Sequence, residues 1–195
     1  LAAWADVIAS IERPNEYWDN NVTTTTNVQK ICHKKEIQLL YASSSCIHAW
    51  HKSPYGISKK VNEETAYPGQ TGLRFTTVYG EGARDTMMIG RLVRNEAKYA
   101  TTHIRDFIHV EDVMNVIDLL LKKSVHILKP AYDVGTGKGN RVDYLANDIC
   151  GRNLPVNKGD DCEAKDNTAN IRPLQDLGWN PTINVVDYLK EKVGV

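Results

Sequence analysis

Short apolar runs alternate along the chain with longer segments in which apolar residues recur every three or four positions. Residues 37–43 and 73–79 have the length of buried strands, and 132–134 is a third, shorter run. The longer segments have the periodicity of helices packed on one face. They cover residues 14–30, 54–65, 87–98, 110–122, 141–150, 168–176 and 185–193. The pattern therefore predicts short buried strands separated by helices.

For two of these helices the pattern also indicates which positions face inward. In the helix over 14–30 these are Tyr17, Asn21, Val28 and Ile31. In the helix over 110–122 they are Val113, Val116, Ile117, Leu120 and Leu121. We expect these side chains to be buried.

Composition narrows the classes of function. The 195 residues suit one domain, or one domain with a small lobe, and 24 basic residues balance 24 acidic ones. This balance gives no reason to expect nucleic acid or an anionic membrane surface as a partner. No apolar run reaches the roughly 18 residues of a membrane span, and no charged-then-apolar leader opens the chain. We expect no membrane segment.

Cysteine and histidine positions give no sign of a disulfide framework or a metal site. The four cysteines, Cys32, Cys46, Cys150 and Cys162, are scattered without C-x-x-C spacing, and the six histidines lack the spacing of metal ligands. Scattered cysteines in a chain of this length are typical of reduced thiols in the cytosol. The sequence therefore predicts a cytoplasmic protein without a bound metal ion.

The stretch from the strand over 37–43 to Lys59 carries the candidate chemistry. The strand ends in three serines, residues 43–45, and a short loop leads to Ser53 and a proline, which suit the N-cap and first position of a helix. Tyr55 and Lys59 follow with a spacing of four residues, so they share one face of that helix. A hydroxyl cluster, a phenol and an ammonium are thus expected to be close together.

This set of groups suits proton transfer coupled to hydride transfer. A phenol titrates near pH 10 and is a poor base at neutral pH. An ammonium one helical turn away, together with the positive charge of an oxidised nicotinamide, favours the phenolate and lowers that pKa. A Tyr-x-x-x-Lys pair alone is common in packed helices, but the upstream serines and the change from strand to helix make the pattern specific.

The same stretch resembles a known active-site segment. Ser-Ser-Ser at 43–45 followed by Pro-Tyr-Gly-Ile-Ser-Lys at 54–59 is similar to that of the extended short-chain dehydrogenase/reductases, in particular the NAD-dependent nucleotide-sugar epimerases and dehydratases such as UDP-glucose 4-epimerases. Further similar motifs are Leu-Arg-Phe-Thr-Thr-Val-Tyr-Gly (73–80), Arg-Asp-Phe-Ile-His-Val-Glu-Asp-Val (105–113), Tyr-Asp-Val-Gly-Thr-Gly (132–137) and Leu-Gly-Trp-Asn-Pro (177–181). They follow the family order, and the resemblance covers essentially the whole chain.

The resemblance implies an α/β fold, a truncated Rossmann-like doubly wound parallel sheet with a small C-terminal substrate-binding lobe. Residues 1–80 with 105–135 would form the remainder of the NAD-binding domain, and residues 81–104 with 136–195 the lobe. Family members begin with a Gly-rich turn that holds the pyrophosphate at a helix N-terminus. No G-x-x-G-x-x-G motif occurs here.

Roughly the first three βα units of such a sheet are therefore expected to be missing. Either the sequence is a piece of a longer protein, or the protein is a shortened relative. A sheet cut at this point exposes the edge of a strand that should be central. We expect a partner chain or swapped segments to cover that edge, and hence a homo-oligomer.

The resemblance also assigns roles to individual positions. Its catalytic group corresponds to Ser44, Tyr55, Lys59 and Asn21, and Ser45 is the alternative to Ser44 because the loop before Tyr55 is shorter than in relatives. The residues implied in NAD binding are Ala2, Ala3, Ser43, Tyr55, Lys59, Phe75 and Thr76. The residues implied in binding a nucleotide-diphosphate sugar are Ser45, Thr77, Arg105 and Lys158. Arginine suits a diphosphate because its guanidinium is permanently charged and bidentate, whereas lysine offers a point charge.

These assignments imply an NAD-dependent epimerase of a nucleotide-diphosphate sugar. Tyr55 would take a proton from a sugar hydroxyl while NAD accepts the hydride, and the hydride would return to the other face. A dehydratase normally has Asp-Glu where this chain has Ser45 and Cys46, which disfavours elimination. Two other readings stay open: a non-catalytic remnant that binds a nucleotide sugar, and a reductase that uses NADPH, since the cofactor-selecting residue precedes this sequence in the family.

Overall fold

The computed structural model describes residues 3–195 and shows strands and helices in two compact units. The strands are β1 (Leu39–Ser44), β2 (Gln70–Phe75), β3 (Thr77–Tyr79), β4 (Ala100–Thr101), β5 (Ile104–His109), β6 (Ala131–Val134), β7 (Gly139–Arg141) and β8 (Val156–Asn157). The α-helices are α1 (Val7–Glu12), α2 (Pro14–Tyr17), α3 (Thr24–Lys34), α4 (Pro54–Glu64), α5 (Met88–Val93), α6 (Val110–Leu121), α7 (Val142–Tyr144), α8 (Arg172–Gln175) and α9 (Val185–Val193). Trp18–Thr23 and Leu145–Ile149 are π-helical, and Ser45–Lys52 and Val125–Ile127 form 3₁₀ turns.

The first unit contains residues up to Phe75, Ile117–Asp133 and Asp161–Ala164. Its sheet has the strand order β1-β2-β6. Strands β1 and β2 are parallel, in a register that places Ser44 beside Phe75. Parallel neighbours need a long crossover, which the 3₁₀ turns and α4 provide. The carboxyl ends of β1 and β2 therefore lie side by side, the edge at which parallel α/β sheets carry their sites.

A π-helical turn at Trp18–Thr23 interrupts an otherwise α-helical segment that runs from residue 14 to residue 34. Tyr17, immediately before this turn, and Asn21, within it, are buried as predicted. A π turn closes its hydrogen bond over one more residue than an α turn. Every position after it is therefore displaced by one relative to a plain α-helical pattern.

This displacement explains why the prediction was wrong further along the helix. Val28 and Ile31, expected to face inward, are 42% and 52% exposed. Their neighbours Gln29 and Cys32 are buried instead. The buried face is shifted by one residue, as the extra residue of the π turn requires.

The first strand begins two residues later than predicted because Ile37 belongs to the end of α3. The N–H of Ile37 donates to the carbonyl of Cys32 at 2.9 Å, and the N–H of Glu36 donates to that of His33 at 3.3 Å. Glu36 has a left-handed backbone, with φ of 53°. This pattern closes a helix in the Schellman manner. Ile37 is consequently exposed rather than buried in the sheet.

Three other predicted elements also differ in extent. The strand over 73–79 is two strands, because the N–H and Oγ1 of Thr76 both donate to the carbonyl of Val134, at 3.0 and 3.2 Å. The helix over 87–98 ends early, since Asn95 is left-handed with φ of 59°. The helix over 168–176 is reduced to α8, because Pro173 is confined to the first turn of a helix.

The predicted helices over 110–122 and 185–193 are confirmed as α6 and α9. In α6, Val113, Val116 and Leu120 are buried as expected, whereas Ile117 is half-buried and Leu121 is exposed. The apolar face read from the sequence was therefore wider than the buried stripe.

The second unit contains Thr76–Val116, Val134–Asp160 and Lys165–Val195. Strands β3 and β5 are parallel, β5 and β7 antiparallel, and β4 pairs with β8 in a separate parallel sheet. The core of this unit consists of Tyr79, Ile89, Leu92, Ala100, Phe107, Val142, Leu145, Ala146, Cys150, Val185 and Leu189. The division into domains predicted from the sequence stays a prediction.

A buried carboxylate, that of Asp106 in β5, organises the second unit. Its oxygens accept from the N–H of Thr136 at 2.7 Å, the Oγ1 of Thr136 at 2.6 Å, the N–H of Gly137 at 2.9 Å and the N–H of Ala169 at 3.1 Å. A Cβ at Gly135 would lie 2.6 Å from Oδ2 of Asp106. The turn after β6 therefore wraps the carboxylate closely and tolerates only glycine at this position.

Asp112, at the start of α6, plays a similar part for the C-terminal segment. Its carboxylate accepts from the N–H and Oγ1 of Thr182, at 3.0 and 2.8 Å, and from the N–H of Ile183 at 3.0 Å. The acidic group also lies in the first turn of α6, where the helix dipole favours negative charge. Both acidic residues of the 105–113 motif that are buried thus tie chain segments together.

Within residues 3–195, no helix combines the length and apolar character needed to cross a membrane. The same residues contain no group of three or more His, Cys, Asp or Glu side chains arranged to hold a metal ion.

We predict that Asp106→Asn lowers the free energy of unfolding by about 2–4 kcal/mol. An amide has a single acceptor oxygen, and its NH₂ group would face the N–H donors that the carboxylate now accepts from. The measurement is denaturant unfolding followed by circular dichroism. The matched control is Asp85→Asn in the same unit, whose side chain is 99% exposed and should cost less than about 0.5 kcal/mol. Equal stability of the two variants would refute a role of the carboxylate in holding the turn.

Candidate active site

Helix α4 begins directly after Ser53, and the predicted cap is confirmed. The Oγ of Ser53 accepts from the N–H of Gly56 at 3.1 Å, and its carbonyl accepts from the N–H of Ile57 at 3.0 Å. The N–H of Tyr55 donates to the Oγ of Ser10 at 3.2 Å. Proline, the first residue of the helix, has no N–H to satisfy. Each N–H of the first turn therefore has a partner, which fixes how α4 leaves the 3₁₀ segment.

Tyr55 and Lys59 lie one turn apart on α4, and both are buried. The Nζ of Lys59, a residue only 2% exposed, lies 5.8 Å from the centroid of the Tyr55 ring and donates to the carbonyl of Ala42 in β1 at 2.9 Å. Burial lowers the pKa of Lys59 to about 8, because desolvation disfavours the charged form. A group with this pKa is still mostly protonated at pH 7. An ammonium is thus held beside the phenol.

The three serines at the end of β1 have different partners. Ser44 is buried, and its Oγ accepts from the N–H of Cys46 at 3.2 Å as the cap of the 3₁₀ segment. Ser43 donates to Oε1 of Glu63 in α4 at 2.5 Å. Ser45 is buried at the start of the 3₁₀ segment. Of the two serines weighed for the hydrogen bond to substrate, Ser44 is the one at the carboxyl edge of the sheet, and its role stays a prediction.

Close packing against the 3₁₀ segment sets the position of α4. A Cβ at Gly56 would lie 2.7 Å from the carbonyl oxygen of Trp50 and 3.0 Å from its Cα. These are backbone atoms, which cannot move aside as the end of a flexible side chain can. The glycine between Tyr55 and Lys59 in the motif is therefore required by the contact of the helix with the segment before it.

Three contacts of Tyr55 were not anticipated from the sequence. Ser10 receives its N–H, Ser58 donates to its carbonyl at 2.8 Å, and the ring of Tyr17 meets its ring edge-on with centroids 6.4 Å apart. Ser58 could have been found, because it lies three residues beyond Tyr55 on the same helix. The contact with Ser10 could not have been found in this way. Hydrophobic periodicity predicts that Ile8 and Ile11 are buried, whereas in the structure both are exposed and Ser10 is buried.

Asn21 is fully buried and joins the N-terminal stretch to α4. Its Oδ1 accepts from the N–H of Trp4 at 2.9 Å, and its Nδ2 donates to the carbonyl of Trp4 at 2.9 Å and to the Oγ of Ser58 at 3.2 Å. Ser58 in turn donates to the carbonyl of Tyr55. The structure therefore brings Asn21 into the hydrogen-bond network around Tyr55, although its catalytic role stays a prediction.

The residues implied in NAD binding fall at several places. Ala2 lies outside the described residues. Ala3 is half-buried and is not part of a strand. Phe75 is the last residue of β2 and is half-buried. Thr76 is buried, and its Oγ1 donates a hydrogen bond to the carbonyl of Val134. Their contact with the cofactor stays a prediction.

Three residues implied in substrate binding belong to the second unit. The Oγ1 of Thr77 accepts from Nδ2 of Asn167 at 3.2 Å. Arg105 is half-buried. Its Nη1 donates a hydrogen bond to the carbonyl of Ile104 at 3.0 Å, and its Nη2 lies 2.9 Å from Nδ1 of His103. Lys158 is exposed in a loop. Contact of these side chains with a diphosphate stays a prediction.

The first unit thus holds a phenol, an ammonium with a lowered pKa and a serine hydroxyl around the end of β1. A cation close to a phenol favours the phenolate. The set can take a proton from a hydroxyl and return it, which is general acid–base chemistry. The buried ammonium beside the phenol is also a suitable donor group for a ribose hydroxyl of a dinucleotide.

Comparisons with known proteins agree with the resemblance seen in the sequence motifs. The sequence model of the NAD dependent epimerase/dehydratase family matches residues 1–135. Protein CapI of Staphylococcus aureus is 34% identical over 63% of this chain and 46% of its own length. A UDP-glucuronate 4-epimerase of Thermodesulfobacterium geofontis is 28% identical over 99% of this chain and 70% of its own length. The solved structure of MoeE5 in complex with UDP-glucuronic acid and NAD is 25% identical, covers all of this chain and 76% of that chain, and has a TM-score of 0.84.

The fold likeness confirms the α/β, Rossmann-like class predicted from the sequence. The chain spans about half the length of the first curated relatives that it matches, 46% and 59%.

We predict that Lys59→Met makes the protein more stable at pH 7, by about 1–3 kcal/mol, because it removes a buried cation. The ordinary lysine pKa is 10.5 and the folded one about 8, so between these pH values the unfolded chain binds more protons than the folded one. The stability contribution of Lys59 therefore rises with pH in this window, by up to about 1.4 kcal/mol per pH unit. The advantage of Lys59→Met should shrink as the pH rises from 8 to 10.

The measurement is denaturant unfolding at several pH values. Lys60→Met is the matched control, since Lys60 is the next residue of α4 and pairs with Glu64 at the exposed side of the helix. It should show neither the gain at pH 7 nor the change with pH. A constant difference between Lys59→Met and the wild type from pH 7 to 10 would contradict the lowered pKa.

We also predict that Gly56→Ala lowers the free energy of unfolding by about 1–3 kcal/mol, because its Cβ would overlap the backbone of Trp50. The control is Gly90→Ala in α5, where the new Cβ would meet only the mobile end of the Arg94 side chain at 3.0 Å. That change should stabilise the protein by about 0.5–1 kcal/mol through helix propensity. Thermal unfolding of both variants tests the pair, and a gain in stability for Gly56→Ala would rule out the close contact.

Proposed function

The chain belongs to the NAD dependent epimerase/dehydratase family, and from this premise we propose that the protein is an NAD-dependent epimerase of a nucleotide-diphosphate sugar. The observation that carries the proposal is the buried Lys59 beside Tyr55 on α4, with Ser44 at the end of β1. The motif around these residues resembles that of the family, and its geometry suits proton transfer at a sugar hydroxyl.

Tyr55 acts as the general base in this proposal. Its phenolate removes the proton of a sugar hydroxyl and later returns it to the same oxygen. Ser44 donates a hydrogen bond to that oxygen, which keeps the reacting carbon oriented. The buried position of Tyr55 limits the access of water to the phenolate.

Lys59 has two parts in the proposal. It remains mostly cationic at pH 7, because its pKa is about 8, and it therefore stabilises the phenolate of Tyr55. An ammonium has three N–H donors, of which one is used on the carbonyl of Ala42, and the others can bind the nicotinamide ribose. When bound, NAD supplies the acceptor for the hydride that leaves the sugar carbon and the donor from which it returns.

The reaction is an isomerisation with no net oxidation. Loss of a hydride and a proton converts the carbinol carbon into a ketone. Return of the hydride to the opposite face, with the proton from Tyr55, gives the epimer. The residues of this chain must therefore hold the proton while the ketone turns in the site.

The substrate class rests on the family resemblance and the relatives. One relative is named a UDP-glucuronate 4-epimerase, and MoeE5 was solved with UDP-glucuronic acid and with UDP-glucose. We therefore infer that the nucleotide is UDP and that the two sugars of those complexes are suitable probes.

Elimination of water, the dehydratase reaction, is less well supported by the residues after Ser44. It needs an acid and a base next to the catalytic hydroxyl. Ser45 and Cys46 occupy these positions, and neither is a carboxylic acid. Epimerisation needs no further acid or base beyond Tyr55.

We predict that the isolated protein contains NAD, released on denaturation and measured by enzymatic cycling, and that it epimerises UDP-glucuronic acid or UDP-glucose. Tyr55→Phe should keep the bound NAD and reduce the epimerisation rate at least about 100-fold, because the general base is lost. Products are separated by anion-exchange chromatography and identified by proton NMR.

Tyr99→Phe, at an exposed position of the second unit, is the control and should retain the wild-type rate. Absence of NAD, together with no binding by calorimetry at millimolar concentration, would favour a remnant that binds only a nucleotide sugar. Full activity of Tyr55→Phe would contradict the role proposed for the phenol.

A further inference from the structure

Helix α4 is attached to the sheet of the first unit at a second place, one turn beyond Lys59. Tyr55, Lys59 and Glu63 follow one another at intervals of four residues, so they lie along one face of the helix. At 1.5 Å per residue they extend over about 12 Å. The stripe that carries the two catalytic candidates therefore ends in a carboxylate.

The carboxylate of Glu63 joins α4 to both β1 and β2. Its Oε1 accepts from the Oγ of Ser43 at 2.5 Å and from Nε of Arg74 at 2.9 Å. Its Oε2 accepts from Nη2 of Arg74 at 2.7 Å. Ser43 and Arg74 are register partners in the two strands. One carboxylate thus contacts a pair of neighbouring strands at the same level of the sheet.

The geometry of this contact is that of a strong ion pair. Two parallel N–H···O bonds between guanidinium and carboxylate are bidentate, and the Glu63 side chain is only 11% exposed. The hydrogen bond to Glu63 raises the pKa of Arg74 above the ordinary value of an arginine. Asp133 of β6 lies 3.6 Å from the same guanidinium and 3.1 Å from Nε2 of His48. The pair is therefore part of a network that includes all three strands of the sheet.

The two attachments of α4 to β1 are adjacent in the strand. Lys59 donates to the carbonyl of Ala42, and Glu63 accepts from the side chain of the next residue, Ser43. Ser44 follows immediately. Two contacts one helical turn apart fix the position of α4 along the strand and its inclination to the strand. A single contact at Lys59 would constrain the inclination less.

We propose that Glu63, held by Arg74, is a positioning residue that sets the register of α4 on β1 and thereby places Tyr55 and Lys59. The proposal rests on the proposed function for the roles of those two residues. A displacement of about 1 Å at a reacting group can reduce a rate about 100-fold, which is why such a contact matters for chemistry.

The test observes Lys59 directly and needs neither NAD nor a sugar. The protein is labelled with 13C-lysine, and the Cε resonance of Lys59 is titrated by NMR and assigned by its loss in Lys59→Met. In Glu63→Gln the bidentate pair with Arg74 is lost, and we expect α4 to tilt away from β1 so that water reaches the ammonium. The pKa of Lys59 should then rise from about 8 towards the ordinary 10.5, by about one unit or more, a tenfold change in proton affinity.

The sign of the change separates positioning from a simple charge effect. Removing a negative charge by itself disfavours the ammonium and lowers the pKa of Lys59. A rise therefore supports a displaced helix, and an unchanged or lowered pKa in a folded variant overturns the proposal. Glu64→Gln is the matched control: it is the next residue, its side chain is 63% exposed, and it should leave the titration of Lys59 unchanged.

A second variant keeps the test decisive if Glu63→Gln does not fold, as judged by circular dichroism. Ser43→Ala removes only the bond between Glu63 and β1 and leaves the ion pair with Arg74. It should raise the pKa of Lys59 in the same direction by a smaller amount, and no rise would overturn the proposal. An inactive wild-type protein with the expected titrations would refute the proposed function alone.

Discussion

The ammonium of Lys59 is buried against the carbonyl of Ala42, and the other contacts of α4 must hold the helix close enough to β1 for this. A buried cation is costly, and the lowered pKa of Lys59 reflects that cost. The contact persists only because α4 is held close to β1 by other means. Gly56 allows α4 to pack closely against the backbone of Trp50. The hydroxyl groups of Ser10 and Ser53 accept hydrogen bonds from the N–H groups in the first turn of the helix. Polar groups, rather than large apolar side chains, therefore decide where this helix lies.

The second unit depends on buried acidic side chains in the same way. Asp106 and Asp112 belong to the stretch whose first residue, Arg105, was assigned a ligand contact by resemblance, yet both carboxylates are occupied by backbone and hydroxyl donors of this chain. The buried acidic residues of this motif thus hold the fold. A carboxylate in the protein interior can do this because it accepts several N–H groups at once and fixes the loops that carry them.

The sequence was informative wherever a local rule applied. The cap at Ser53, the face shared by Tyr55 and Lys59, and the helices α6 and α9 follow from spacing and propensity, and the structure has them. The features that could not be predicted depend on contacts between residues far apart in the chain, or on a backbone geometry that no sequence pattern indicates. Ser10 accepts a hydrogen bond from the N–H of Tyr55, 45 positions away in the chain. Ile37 closes the C-terminal end of α3 instead of starting β1. The π turn shifts the helix pattern by one residue, so that Val28 and Ile31 are exposed. The ion pair of Glu63 and Arg74 is of the same kind, since it forms only when α4 and the sheet are assembled.

The π turn at Trp18–Thr23 has a consequence for how this protein is aligned with others. A relative whose corresponding helix is α-helical throughout has one residue fewer between the same two ends. An alignment without a gap would then match Val28 and Ile31 of this chain with buried positions of the relative and assign them to its core. The correct gap lies inside a helix, where alignment procedures are least inclined to put one. Placed there, it keeps Asn21 and Cys32 on the same buried face in both proteins.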